Sequence, residues 1–148
     1  MFQKLMSTRK DPAVTIARMM LGVVFFAHGA QKMLGWFGGY GFSNTMSMFT
    51  HHGMPPALAF FVIFTEFFGG LSMLFGLFSR LGGLAIAAVM VGAIVRVHVH
   101  FGFFMNWMGQ KKGEGFEFHL LAIALALLVL IRGAGACSFD RLLGGSKA

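Results

Sequence analysis

PALAFFVIFTEFFGGLSMLFGLFSR, from Pro56 to Arg80, decides the reading of this chain, because it sets one carboxylate, Glu66, near the middle of a long apolar run. Glu66 lies nine residues beyond Ala57. At about 1.5 Å of rise per residue, that is roughly 14 Å into a hydrocarbon core about 30 Å thick. A charge at that depth costs at least about 3 kcal/mol and marks a functional or strongly paired position. What Glu66 faces is therefore the question around which the other segments are read.

The composition around this run is that of a membrane protein. Of 148 residues, 57% are hydrophobic and 11% charged, against about 25% charged in a typical soluble domain. The formal charge of +7 does not point to nucleic acid, since the Lys and Arg residues are scattered and stand mostly at the ends of apolar runs. That distribution sets membrane topology and does not follow a phosphate backbone. A single cysteine, Cys137, excludes an internal disulfide or a CxxC redox pair.

Working outward, four apolar segments of near-spanning length are predicted as helices over about 14–34, 57–77, 82–99 and 116–131, making one membrane domain across 1–148. The fold class expected is all-α, an integral membrane four-helix bundle. Asp11 and Pro12 form a cap and first turn for the first helix, and Gly35 suits its end. Arg9 and Lys10 before an apolar run suggest a signal peptide, but Arg18, His28 and the length of the run favour an uncleaved helix. The stretch from Trp36 to Pro56 is read as a long connection, with Trp36 and Tyr40 suited to the headgroup region. The short turn around Ser79 and Arg80 makes the second and third helices antiparallel neighbours with a large shared contact. Gly69, Gly70 and Gly76 would face Ala85, Ala88 and Gly92 there, small residues that let backbones approach in lipid. After the fourth helix, Gly133 to Gly135 end the segment and a short polar tail follows.

Orientation follows from the basic residues. Lys4, Arg9, Lys10, Arg80, Arg132, Arg141 and Lys147 fall on one side and Lys111 and Lys112 on the other, so both termini are expected in the cytoplasm.

The intramembrane polar residues crowd the outer half. His28, Gln31 and Lys32 share a face of the first helix through spacings of three and four. The plain reading is that Lys32 snorkels to the interface while His28 packs. On the third helix Arg96 and His100 continue the stripe of Ala88 and Gly92, while His98 is turned about 200° away. Glu117 opens the fourth helix, where an acid is also favoured by the helix dipole. For Glu66 the plain reading is a structural ion pair with Arg96 or Lys32. The short turn at Arg80 favours Arg96, whose long side chain would bridge a depth difference of about one to two turns. No metal site is read: His51 and His52 are adjacent and lack a third ligand in register. The glycine-rich loops match no phosphate-binding fingerprint.

HGAQKMLGWFGGYG (His28 to Gly41), GMPPALA (Gly53 to Ala59) and TEFFGGLSMLFGLFSRLGGLA (Thr65 to Ala85) strongly resemble the DoxX family of small four-helix membrane proteins. The likeness continues through VHVHFGFF and GFEFHLL and covers roughly residues 13 to 132. It implies an inner-membrane bundle and carries over His28, Gln31, Lys32, Glu66, His98 and Glu117 as recurring polar positions. The family pattern aligns its histidine with His98, whereas helical phase nominates His100.

Some members of that family resemble subunits of a thiosulfate to quinone oxidoreductase, which implies a redox-associated component. Its polar pocket would hold a quinone or a small anionic sulfur compound, with Glu66, His28 and His98 in catalytic roles. Gln31, Lys32, Arg96, His100 and Glu117 would contact the substrate. His28 and His98 are also a conceivable haem pair, a use ranked below quinone binding. The alternative is non-enzymatic, a small-solute transporter or an assembly subunit. The partners expected are the lipid bilayer and a homo-oligomer or larger membrane complex, with no nucleic acid.

Overall fold

A computed structural model describes residues 6–144, and all regular secondary structure among them is helical. Lys4 and Lys147 lie outside the described residues. Helix α1 spans Pro12–Leu34. As expected, the Asp11 carboxylate accepts from the Ala13 and Val14 amides at 3.0 and 3.3 Å, and Gly35 closes the helix with φ 75°. Helix α2, Gly41–His51, lies within the stretch read as a connection. Its sequence, GFSNTMSMFTH, mixes polar and apolar residues too evenly to announce a helix. Asn44 and Thr50 bond back to the Tyr40 and Met46 carbonyls, which keeps those polar groups satisfied within the turn.

Helix α3 runs Pro56–Phe75 and contains a π turn at Thr65–Gly69, with Glu66 inside it. Gly76, at φ 65°, ends the helix slightly earlier than the apolar run suggests. Helix α4 is Ser79–Arg96, followed by a 3-10 turn at His98–Phe101. It therefore starts before residue 82 and stops before residue 99. Helix α5 is Glu117–Arg132 and helix α6 is Phe139–Gly144. Three helices, α1, α3 and α4, are long and apolar enough to cross a membrane. Helix α5 has 16 residues, short of the usual span of about 20.

Close backbone approach governs the packing, mostly between helices other than those expected: Gly69 does meet Ile86 of α4, but Gly70 meets α1. A Cβ built on Gly29 would lie 2.3 Å from the Phe67 nitrogen, one on Gly70 2.4 Å from the Phe26 nitrogen, and one on Gly22 2.8 Å from the Leu74 nitrogen. The pairs 22 with 74, 26 with 70 and 29 with 67 define an antiparallel seam between α1 and α3. Any side chain at these glycines would force the helices apart. The most extensive packing of α4 is on α5 and not on α3. Gly83 stands there against the Ala126 carbonyl, whereas Gly92 has open space. The core between the helices is filled by Leu21, Phe25, Met73, Ile86, Met90 and Val129.

At the end of the molecule where α3 turns into α4, two buried charges hold the turn. The Arg18 side chain is 1% exposed. Its guanidinium donates to the carbonyls of Met73, Leu74, Ala134 and Cys137. Two of these carbonyls belong to the last turn of α3, where the helix dipole favours a cation. Asp140, on α6, accepts from the Phe78 and Ser79 amides at 2.7 and 2.9 Å and so caps α4. This cap explains the early start of α4, and it makes the C-terminal segment a structural part of the turn where a plain polar tail was expected. Arg80 donates to the carbonyls of Ser7, Leu130 and Ile131, which brings the N-terminal arm and the end of α5 to the same place.

Candidate functional site

The α1–α3 seam determines what Glu66 meets. Gly29 rests on the backbone of Glu66 and Phe67, so the residue one helical turn farther along α1 lies over the π turn. That residue is Lys32, and its Nζ stands 2.5 Å from Glu66 Oε2. The side chains are 23% and 10% exposed, so the pair is largely but not wholly removed from solvent. The expected preference for Arg96 does not hold. Arg96 is exposed and donates instead to the Gly53 carbonyl at 3.3 Å, in the link between α2 and α3. The reason is the weaker α3–α4 contact, together with a π turn that presents Glu66 toward α1. A π turn inserts one residue into the helix ladder and recurs at functional sites because it re-aims a side chain.

The ion pair borders a cavity of about 520 Å³, within the size range of small-molecule sites, roughly 300–1,000 Å³. Phe25, Phe61, Val62, Val89, Met90 and Phe118 form much of its apolar wall. Phe49 and Met54, from α2 and the link after it, contribute on the side of the aromatic loops. Among the residues nominated from sequence, His28, Lys32, Glu66, Arg96 and His98 all line this cavity.

Gln31, His100 and Glu117 do not line it. Gln31 donates to the Phe37 carbonyl at 3.2 Å, because the chain after Gly35 folds back over it. Glu117 accepts from the Met105 amide at 2.8 Å and from Trp107 Nε1 at 3.4 Å, which fastens the loop before α5. His100 is exposed. Its nomination assumed that α4 keeps its phase, but the helix ends at Arg96 and the 3-10 turn resets the direction of the next residues. Of His98 and His100, His98 is thereby the one at the cavity, donating from Nδ1 to the Glu114 carbonyl at 2.8 Å.

Two lining residues were missed. Glu114 and His119 both border the cavity, and the His119 ring lies 4.0 Å from that of His98, at 41°. The signal for His119 was present in sequence, since it is a histidine at the outer end of an apolar helix.

The DoxX family pattern matches residues 13–99. The chain belongs to the DoxX family. Within that family it is similar to CatD of Bacillus subtilis (strain 168), a protein named as a proposed oxidoreductase. The two are 32% identical over 125 residues, 84% of this chain and 82% of CatD. It is also similar to the inner membrane protein YqjF of Escherichia coli (strain K12), 30% identical over 138 residues, 93% of this chain and 97% of YqjF. No solved structure matches the chain. Together with the three apolar helices, these likenesses make this DoxX protein a multi-pass protein of the bacterial inner membrane, embedded in the lipid bilayer. The matched pattern ends at Val99, so α5 and its His119 lie beyond it and within the span shared with YqjF.

Proposed function

We propose that this DoxX protein is a redox-associated membrane component whose cavity binds a quinone headgroup, with Glu66, Lys32, His28, Arg96 and His98 as its polar contacts. The observation that carries the reading is the Lys32–Glu66 pair at the edge of a mostly aromatic and aliphatic cavity. A quinone ring fits such a wall: its oxygens accept a hydrogen bond from the Lys32 ammonium, and the hydroxyl of its reduced form donates one to the Glu66 carboxylate. A small sulfur anion fits less well, because the ammonium that would hold it is already neutralised by Glu66. The likeness to CatD, named as a proposed oxidoreductase, is consistent with redox work. In this reading the chain positions the ring and exchanges protons through Glu66. Electrons come from a second bound substrate or from a partner subunit, so a homo-oligomer or larger membrane complex is part of the proposal.

The architecture proposed with it is one four-helix membrane domain with both termini in the cytoplasm. Arg9, Lys10, Arg80, Arg132 and Arg141 stand against Lys111 and Lys112 across the bilayer, as the positive-inside rule requires. Arg80 ties the first and last parts of this basic end together through its bonds to Ser7, Leu130 and Ile131.

The test is purification in mild detergent followed by mass spectrometry of the extracted lipids. Wild-type protein should carry quinone in excess of the surrounding detergent extract, and Glu66→Gln should not. Equal quinone content in both would sink the reading. Flux of a solute into proteoliposomes, abolished by Glu66→Gln, would replace it with transport.

A further inference from the structure

Helices α3 and α4 part beside the cavity. The first segment of α3, Pro56–Phe64, packs on α1 and α2 but scarcely on α4, whereas the π turn that follows packs closely on α4. Both sides of the resulting gap line the cavity, with Leu58, Phe61 and Val62 on α3 and Ala88, Gly92 and Ala93 on α4. Phe61, Ala88 and Gly92 are also exposed, so they stand where the cavity meets the surface. The gap is closed at both ends. Toward the α3–α4 turn, a Cβ on Gly69 would lie 3.2 Å from the Ile86 side chain. Toward the aromatic loops, Arg96 reaches from α4 to the Gly53 carbonyl at 3.3 Å. Between these two contacts the gap is a slot in the side of the molecule.

The slot opens toward lipid. Phe64, Val91 and Val95, on the same stretches of α3 and α4, are all exposed, and both helices are long and apolar enough to cross a membrane. None of the six residues on the slot's walls has a polar side chain, and helical backbone satisfies its own hydrogen bonds. Such a wall offers nothing to a polar group and accepts a hydrocarbon chain. Small residues in membrane helices normally face another helix, as Gly22, Gly29 and Gly70 do along the α1–α3 seam. Gly92 differs: a Cβ built on it meets no atom within 4 Å.

We infer that the slot between Phe61 on α3 and Gly92 on α4 is a side entrance from the bilayer, and that the ligand of this cavity carries a hydrocarbon chain that lies in it. Val62 and Glu66 are four residues apart on α3, one helical turn, so a ring held at the Lys32–Glu66 pair has its chain beside the slot. The inference rests on the proposed ring-binding function and narrows its ligand to a chain-bearing ring taken from the membrane, as opposed to a small water-soluble one.

Decylubiquinone and dimethoxymethylbenzoquinone, the same ring without a chain, are the probes, titrated into full-length protein in phosphatidylcholine nanodiscs. Gly92→Leu puts a side chain into the slot and should weaken decylubiquinone binding at least about fivefold, the scale of an overpacked contact. The chain-free ring should bind that variant to within about twofold of wild type, and Gly92→Ala should bind both probes to within about twofold. Should Gly92→Leu fail to fold, decylubiquinone with a photoreactive diazirine in its chain answers the question on wild-type protein. It should label the peptides that hold Phe61 and Gly92, and excess unlabelled decylubiquinone should remove that label. The slot is overturned by unchanged decylubiquinone affinity in Gly92→Leu, by equal loss for both probes, or by competed label confined to α1, α2 or α5. It is overturned too if wild-type protein binds the chain-free ring and not decylubiquinone. In each of these cases wild-type binding of a quinone ring leaves the broader reading standing. If wild-type protein binds neither probe, the proposed function fails and the slot falls with it.

Discussion

Arg18 and Glu66 are both charged, both buried and both set in membrane-spanning helices, yet the molecule treats them in opposite ways. Arg18 is surrounded by its own backbone: four carbonyls from two stretches of chain take its N–H groups. Asp140 does the matching task for the first amides of α4. Glu66 meets one flexible side chain, Lys32, at the edge of a cavity. A charge saturated by fixed backbone dipoles holds a fold together and has nothing left to offer a ligand. One held by a single lysine, which can swing toward the headgroups on its four-carbon stem, can exchange that partner for a ligand. Burial alone therefore does not identify a site; the number and rigidity of the partners do.

The sharpest way to break this comparison is to remove each charge and measure unfolding in detergent. Arg18→Met should cost the most, about 3–5 kcal/mol, because it strands buried carbonyls at the end of α3 and in the segment after α5. A cost under about 1 kcal/mol would mean that the clamp at the α3–α4 turn is not structural. Next in size is Gly29→Ala, at about 1–3 kcal/mol, since the added methyl would meet the Phe67 backbone. The same substitution should weaken ligand binding by moving Lys32 off Glu66, and stability lost without any change in binding would separate the seam from the site. Asp140→Ala should cost about 1–2 kcal/mol, the usual worth of a helix cap. Glu66→Gln should be the mildest of the series, under about 1 kcal/mol, because Lys32 keeps access to the outer interface.

Much of the fold was legible. The apolar runs marked the three helices long enough to cross a membrane and the shorter α5, and Asp11, Pro12 and Gly35 marked the limits of α1 because capping chemistry is local. Glu66 announced itself because an acid in an apolar run is costly wherever it lies. What could not be read were features set by tertiary contacts. The π turn leaves no mark in TEFFG, and without it the direction of Glu66, and so its choice of Lys32 over Arg96, is undetermined. The glycines were recognised as contact residues, but a glycine does not say which helix it faces. Gly70 and Gly29 serve the α1–α3 seam, while Gly92 serves none. The clamp formed by Arg18 and Asp140 was not legible because their partners are backbone groups distant in the chain, which leave no pattern in side chains. His98 was settled only by where α4 stops, a boundary that apolar periodicity places too late.

The most direct test of the account is the affinity for decylubiquinol, whose hydroxyl donates to the Glu66 carboxylate, of Glu66→Gln beside that of wild type, with thermal unfolding followed on the same samples. The account predicts that Glu66→Gln keeps its unfolding temperature within a few degrees and loses affinity at least about tenfold, the scale of one charge-assisted hydrogen bond. Unchanged affinity in a well-folded Glu66→Gln protein would contradict it and return Glu66 to the same structural class as Arg18.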